Sequence, residues 1–233
     1  MTADTTKLFD NIEAIFLDLD GTLVDSVPDL TVAVDAMLVQ LGLPPRGEAR
    51  VRQWVGNGAE MLIRRALVDN LEGNAPEELV ERGRPIFNAV YRDNLAVGSQ
   101  LYPGVLEGLH ALHALGYRLA CITNKPTVFA KPLVEQLGIE VFFDLVLGGE
   151  CAPRKKPAPD ALLLTAERMG VNIHRVLMVG DSKNDVQAAR NAGCRGVVTV
   201  PYGYNHGEDI RAAKPDLVID SLTELSAYLN KAA

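Results

Sequence analysis

Apolar residues in this chain follow two rhythms. Six short runs are almost continuously apolar: "AIFL" at 14, "YRLACIT" at 117, "LVLG" at 145, "VLMVG" at 176, "GVVTV" at 196 and "LVI" at 217. Short runs without alternation predict strands buried on both faces, the habit of a parallel sheet. Between them the period lengthens to that of a helix. One helix is predicted from Gly104 to Leu115, stopping at Gly116, another from Pro126 to Gly138, and a third from Pro159 to Met169 before Gly170. Strand and helix in alternation predict an α/β fold, a Rossmann-like parallel sheet with helices on both faces.

The alternation breaks once. From Ser26 to about Val97 the strand-like runs vanish, and helical patterns take over in "LTVAVDAMLVQLG", "AEMLIRRALVDNL" and "EELVERGRPIFNAVYRDNL". Ser26, Pro28 and Asp29 read as a capped helix start, and Pro103 with Gly104 punctuates the return. The expected organisation is a discontinuous α/β core, residues 1–24 and 98–233, carrying an inserted α-helical cap at residues 25–97.

Composition narrows the function more than the fold. A chain of 233 residues can bury a sizeable core and still carry an insertion. Its formal net charge of -7 opposes a nucleic-acid or anionic-membrane surface, since both need a concentrated positive field. Cys121, Cys151 and Cys194 are too few and too scattered for a disulfide framework or a structural zinc site. The start, "MTADTTKLFD", has no basic-then-apolar order, and no later run approaches the ~20 apolar residues of a membrane span. A reducing, cytoplasmic compartment is expected.

In a parallel sheet, ligands bind beyond the carboxyl ends of the strands, so polar residues directly after an apolar run are privileged. Four such places occur. In "AIFLDLDGTLVDS" (residues 14–26) period-two geometry sends Asp18 and Asp20 to one side, and Gly21 permits a sharp turn. Two carboxylates so close in a dry pocket need a cation or a shared proton; a helix cap or Asx-turn would use one and leave the other unpaired. In "CITNKP", Thr123 and Asn124 end a strand and Pro126 opens a helix, a setting that serves N-capping or an anion. In "KKPAP", prolines fix the loop that carries Lys156, a point charge suited to a phosphate oxygen, although alone it also reads as a surface lysine. In "VLMVGDSKND", Asp185 lies one helical turn beyond Asp181, so both can face one site, and hard oxygen ligands of this kind suit magnesium.

Two acids, a hydroxyl, a lysine and two more acids, in that order and each at a strand end, resemble the haloacid dehalogenase (HAD) superfamily of phosphotransferases. Its four motifs read here as "DLDGT", "TN", "KPAP" and "GDSKND". The resemblance implies that Asp18 is a nucleophile forming an aspartyl-phosphate, and that Asp20, which marks the phosphatase branch, is the acid and base. It implies Mg2+ held by Asp18, the main-chain carbonyl of Asp20 and Asp181, with Asp185 bound through water or one layer out. Thr123, Asn124 and Lys156 would hold the phosphoryl oxygens. An insertion between the first two motifs resembles the helical cap class, in which the cap excludes water and sets specificity.

In the predicted cap, "WVGNGAEMLIRRAL" (residues 54–67) places Gly56, Asn57 and Gly58 in a turn before a helix. Without a third glycine or a preceding strand it is no dinucleotide fingerprint. It is similar to the cap loop of bacterial phosphoglycolate phosphatases, as are "YPGV" at 102 and "GDSKNDVQAARNAGC". That likeness implies a small anionic phosphate ester, 2-phosphoglycolate, as substrate. A cap cation would then meet its carboxylate, with Arg65 or Arg64 as candidate and a solvent-facing helix arginine as the alternative. Other readings are a phosphatase for N-acetylmuramic acid 6-phosphate, a sugar phosphate or pyrophosphate, and a β-phosphoglucomutase-like phosphotransferase. A catalytically dead binding module would have lost Asp18, Asp20, Lys156 or Asp181, and none is lost. No nucleic-acid or membrane partner is expected, and a monomer or a homodimer accommodates the reading. His110, His113, His174 and His206 fill no role that the motifs leave vacant.

Overall fold

A computed structural model of the chain describes residues 9–231; the first eight residues of the "MTADTTKLFD" start lie outside the described residues. The chain opens with β1 (Phe9–Ile12), β2 (Ala14–Leu17) and β3 (Val24–Asp25). Four helices follow: α1 (Val27–Gln40), α2 (Glu48–Trp54), α3 (Ala59–Val68) and α4 (Glu77–Asp93). Alternation then resumes with β4 (Gln100–Leu101), α5 (Val105–Ala114), β5 (Arg118–Ile122), α6 (Thr127–Gln136), β6 (Leu145–Leu147) and α7 (Asp160–Met169). The last elements are β7 (Val176–Gly180), α8 (Lys183–Ala192), β8 (Gly196–Thr199), β9 (Leu217–Val218) and β10 (Leu229–Lys231).

Among the described residues, six strands form a parallel sheet in the order β6-β5-β2-β7-β8-β9. The unbroken apolar runs follow from burial on both faces. Ile15, Leu17, Leu119, Cys121, Leu177 and Val179 point into one core, together with α5 and α6. Alternate residues Phe16, Ala120, Ile122, Val176 and Met178 point into the other, against α7 and α8. Leu17 pairs with Cys121 on one side and Val179 on the other, so β2, β5 and β7 reach their carboxyl ends together. The chain passes from β2 out to β5 and β6, then returns across β2 to β7, which makes this end the topological switch point.

The helical stretch leaves and rejoins the sheet through the antiparallel β3–β4 pair. Helix α4 lies along α1, close enough that a Cβ on Gly83 would meet the Met37 sulfur at 2.9 Å. Two features of the helical stretch depart from the sequence pattern. Helix α2 was not anticipated, and Ser26 occupies the N-cap position of α1 without capping it, because its hydroxyl donates to Asp20 Oδ1 instead. Asp29, in the first turn of α1, faces the returning chain. Its buried carboxylate accepts from the Gly98 and Ser99 amides at 2.6 and 3.0 Å and from the Ser99 hydroxyl, which binds the outgoing chain to the returning one.

Removing that carboxylate strands three donors in a buried place. Asp29→Ala is expected to lower stability by about 2–4 kcal/mol, read as a drop in the urea midpoint at unchanged slope. A loss below about 0.5 kcal/mol would show that the two chain segments hold together without it.

Candidate active site

The carboxyl ends of β2, β5 and β7 bring the four sequence motifs to one place. Asp18 leaves β2 with its amide still donating to the Val179 carbonyl at 2.9 Å, so its backbone is held by the sheet. Gly21 then turns the chain at φ +91°, and a Cβ there would strike the Asp181 carboxylate. That approach lets the Thr22 hydroxyl donate to Asp181 Oδ1 at 2.8 Å. The Tyr204 amide donates to the other Asp181 oxygen.

Asp18, Asp181 and Asp185 each bring one carboxylate oxygen within 4.8 Å of the others. Burial, opposed by Lys156 and reinforced by Asp185, pushes the Asp18 carboxyl up to about 7. Asp181 is pushed well above the usual carboxylate range by burial and then by Asp185 and Asp18. Lys156 is the compensating charge. Its buried Nζ lies 2.8 Å from Asp18 Oδ1 and 2.7 Å from Asp185 Oδ1, and donates to the Ile122 carbonyl at 2.8 Å. Burial works against its charge, but the two aspartates outweigh burial and hold it protonated. Asp18 Oδ1 has the ion pair but no aligned hydrogen bond, so an acceptor remains unfulfilled. Three crowded carboxylates with one ammonium and hard oxygen donors fit a divalent cation.

The remaining predicted residues fall into distinct positions. Asp185 has both oxygens on protein donors: Lys156 on Oδ1, and the Ser182 amide and hydroxyl on Oδ2, which closes a capping box on α8. Thr123 Oγ1 accepts from the Lys125 amide, which leaves its own proton free to donate into the pocket. Asn124 braces loops: its amide donates to the carbonyls of Gly56 and Lys156 and its oxygen accepts from the Lys156 amide. Asp20 faces the same pocket, where it accepts from the Ser26 hydroxyl and from Lys125 Nζ, at 2.9 Å on Oδ1 and 3.2 Å on Oδ2.

Over these residues lies a pocket whose opposite wall comes from the helical stretch, through Val55, Gly56, Gly58, Leu62, Phe87 and Tyr91. Gly58, at φ +87°, sits so close to the Asn124 carbonyl that a Cβ would lie 2.9 Å from it. Asn57 and Arg65 are not part of the lining. The Arg65 guanidinium donates to the carbonyls of Trp54 and Leu71 and to Asn57 Oδ1, so it ties the glycine loop to α3 and offers no charge to the pocket. Arg64 is engaged by Glu60 and Glu77 on the surface. The cap cation expected from the sequence is therefore absent from the described lining, and Lys125, on the sheet side, is the cation that stands there. Lys125 and Tyr91 were missed because a lysine beside a helix start reads as surface and an aromatic at helical spacing reads as core. The available signal was the position of Lys125 three residues beyond a strand end. His206 lies outside the chemistry and contacts the Gln53 carbonyl at 2.8 Å.

The sequence matches the family model of the haloacid dehalogenase-like hydrolases over residues 12–193, and the chain belongs to that family. It is 53% identical to the phosphoglycolate phosphatase of Nitrosococcus oceani over 221 residues, covering 95% of this chain and 98% of the relative. It is 48% identical to that of Vibrio parahaemolyticus, covering 92% and 95%. Among solved structures, a predicted phosphoglycolate phosphatase from Haemophilus somnus superposes with a TM-score of 0.86 at 39% identity, covering 92% and 96%. CbbY from Rhodobacter sphaeroides, in complex with phosphate, gives 0.75 at 27% identity, covering 92% and 96%.

The carboxylate cluster predicts how stability depends on pH without metal. Asp18 has a folded-state value raised above its ordinary 3.8, so the folded form resists ionising it. The destabilisation is absent at low pH, grows as pH rises past 3.8, and is complete above about 7. In chelator at about pH 8, Asp18→Asn is expected to melt higher than the parent by ~4 °C, and the gap should close toward about pH 4. A parent that melts as high as the variant at the upper pH would contradict the crowding.

Proposed function

We propose that this chain is a magnesium-dependent phosphomonoesterase that hydrolyses 2-phosphoglycolate to glycolate and phosphate. The observation that carries the reading is the division of labour between Asp18 and Asp20. Both face one pocket, but Asp18 sits in the carboxylate cluster with Lys156, while Asp20 is held apart by Ser26 and Lys125. The name borne by the most similar relatives supports the substrate.

Asp18 attacks phosphorus in line, the bond to the ester oxygen breaks, and an aspartyl-phosphate forms. Asp20 gives its proton to the leaving alkoxide, releasing glycolate. It then takes a proton from the water that attacks the aspartyl-phosphate, which frees phosphate and restores Asp18. Asp18, the main-chain carbonyl of Asp20 and Asp181 would hold the magnesium ion, whose charge offsets that of the nucleophile and the phosphoryl group. The Lys156 ammonium favours ionised Asp18, and the Thr123 hydroxyl donates to a phosphoryl oxygen. Asp185 positions rather than ligates: it fixes Lys156 and the start of α8. Residues 25–97 act as the cap, with Gly56 and Gly58 closing over the pocket and the Asp29 contacts marking the hinge. The three unpaired cysteines support a cytoplasmic setting.

The test is a substrate panel of 2-phosphoglycolate, N-acetylmuramic acid 6-phosphate, sugar phosphates and pyrophosphate. The expected kcat/KM for 2-phosphoglycolate exceeds the others by more than about tenfold, with activity lost in chelator and in metal-replete Asp18→Asn. A different preferred ester would overturn the substrate, and an Asp18→Asn protein as fast as its parent would overturn the mechanism.

A further inference from the structure

Arg64 and Arg65 are occupied elsewhere, so the charge that meets the substrate's carboxylate must come from another residue. Lys125, 5% exposed, lines the pocket with its Nζ 2.9 Å from Asp20 Oδ1 and 4.8 Å from the centre of the Tyr91 ring. Tyr91, on α4, lines the same pocket at 1% exposure, and its buried hydroxyl lies near the Lys125 ammonium without an aligned hydrogen bond. A phenol beside an ammonium can only accept from it, so its own proton lacks an acceptor, and its place on the pocket wall points to one on the ligand. Burial, partly offset by Lys125, pushes that phenol up to about 12, so it remains a donor at neutral pH.

We propose that Lys125 and Tyr91 form the receptor for the carboxylate of the leaving group, the ammonium pairing with it and the phenol donating to it. The inference rests on the 2-phosphoglycolate reading above. Its geometry follows from Asp20. A carboxyl that protonates the ester oxygen stands within hydrogen-bond distance of it, and Lys125 Nζ stands beside that carboxyl. In 2-phosphoglycolate the carboxylate is one methylene from the ester oxygen, two bonds of about 1.5 Å each, which brings it to the ammonium. The rest of the wall is mainly apolar, including Leu30, Leu62, Phe87 and Phe129, and offers no competing positive charge. An ester with an uncharged leaving group would leave Lys125 to Asp20 alone.

Two esters separate this role from support of Asp20: 2-phosphoglycolate and ethyl phosphate, which shares the ester oxygen but has no carboxylate. An effect through Asp20 falls on both and cancels in the ratio of their kcat/KM values. Lys125→Met is expected to lower that ratio at least about tenfold, chiefly through KM for 2-phosphoglycolate, while Lys125→Arg keeps most of it. Tyr91→Phe removes a hydroxyl that makes no aligned hydrogen bond, so it should melt within about 2 °C of the parent and lower the ratio about threefold or more. A ratio unchanged within about twofold in Tyr91→Phe, or in Lys125→Met where that variant folds, overturns the receptor while leaving the parent's preference intact. A parent with no preference overturns the substrate reading, and the receptor with it.

Discussion

Three carboxylates and one ammonium share a dry recess at the carboxyl end of the sheet, and the rest of the structure depends on keeping them there. At separations within 4.8 Å each ionised pair repels by at least about 3.5 kcal/mol at an interior dielectric near 20. Lys156 offsets part of that repulsion, and its own charge is affordable in the interior only because Asp18 and Asp185 flank it. The arrangement is destabilising until a further positive charge arrives. It is therefore a site built for a ligand rather than for stability.

The sheet supplies the rigidity that such crowding requires. Strands β2, β5 and β7 are in register at their ends and buried on both faces, so Asp18, Thr123 and Asp181 project from fixed backbone. Gly21 lets the turn after Asp20 press against Asp181, and Asp185 holds Lys156 from the first turn of α8. The helical stretch is coupled to this base by short polar links. Asn124 reaches the Gly56 carbonyl, Arg52 reaches Asp25 at 3.0 Å, and Asp29 joins the two connecting segments. These links, with the apolar core that the helical stretch shares with the sheet, hold the pocket wall over the carboxylates.

Much of the sheet was legible because its signals are local. An apolar run that ends in an acid marks a strand that stops at a polar crevice, and "AIFLDLD" and "VLMVGDSKND" both do so. Side-chain partners were harder, since these are chosen by segments far away in the chain. Ser26 looked like a cap and turned to Asp20; Arg65 looked like a substrate cation and turned to the carbonyls of Trp54 and Leu71. Asn124 looked like an anion ligand and became a brace between loops. The β1–β10 pair was not anticipated, because "FDNI" and "LNK" are broken by polar residues and carry no unbroken apolar run.

The central claim is that Asp18 itself takes the phosphoryl group, which divides the reaction into two in-line transfers. Each transfer inverts phosphorus, so two restore the starting configuration, whereas direct attack by water inverts it once. The most direct measurement is the stereochemical course with 2-phosphoglycolate made chiral at phosphorus by sulfur and oxygen isotopes. Net retention is the predicted result, and net inversion would contradict the account.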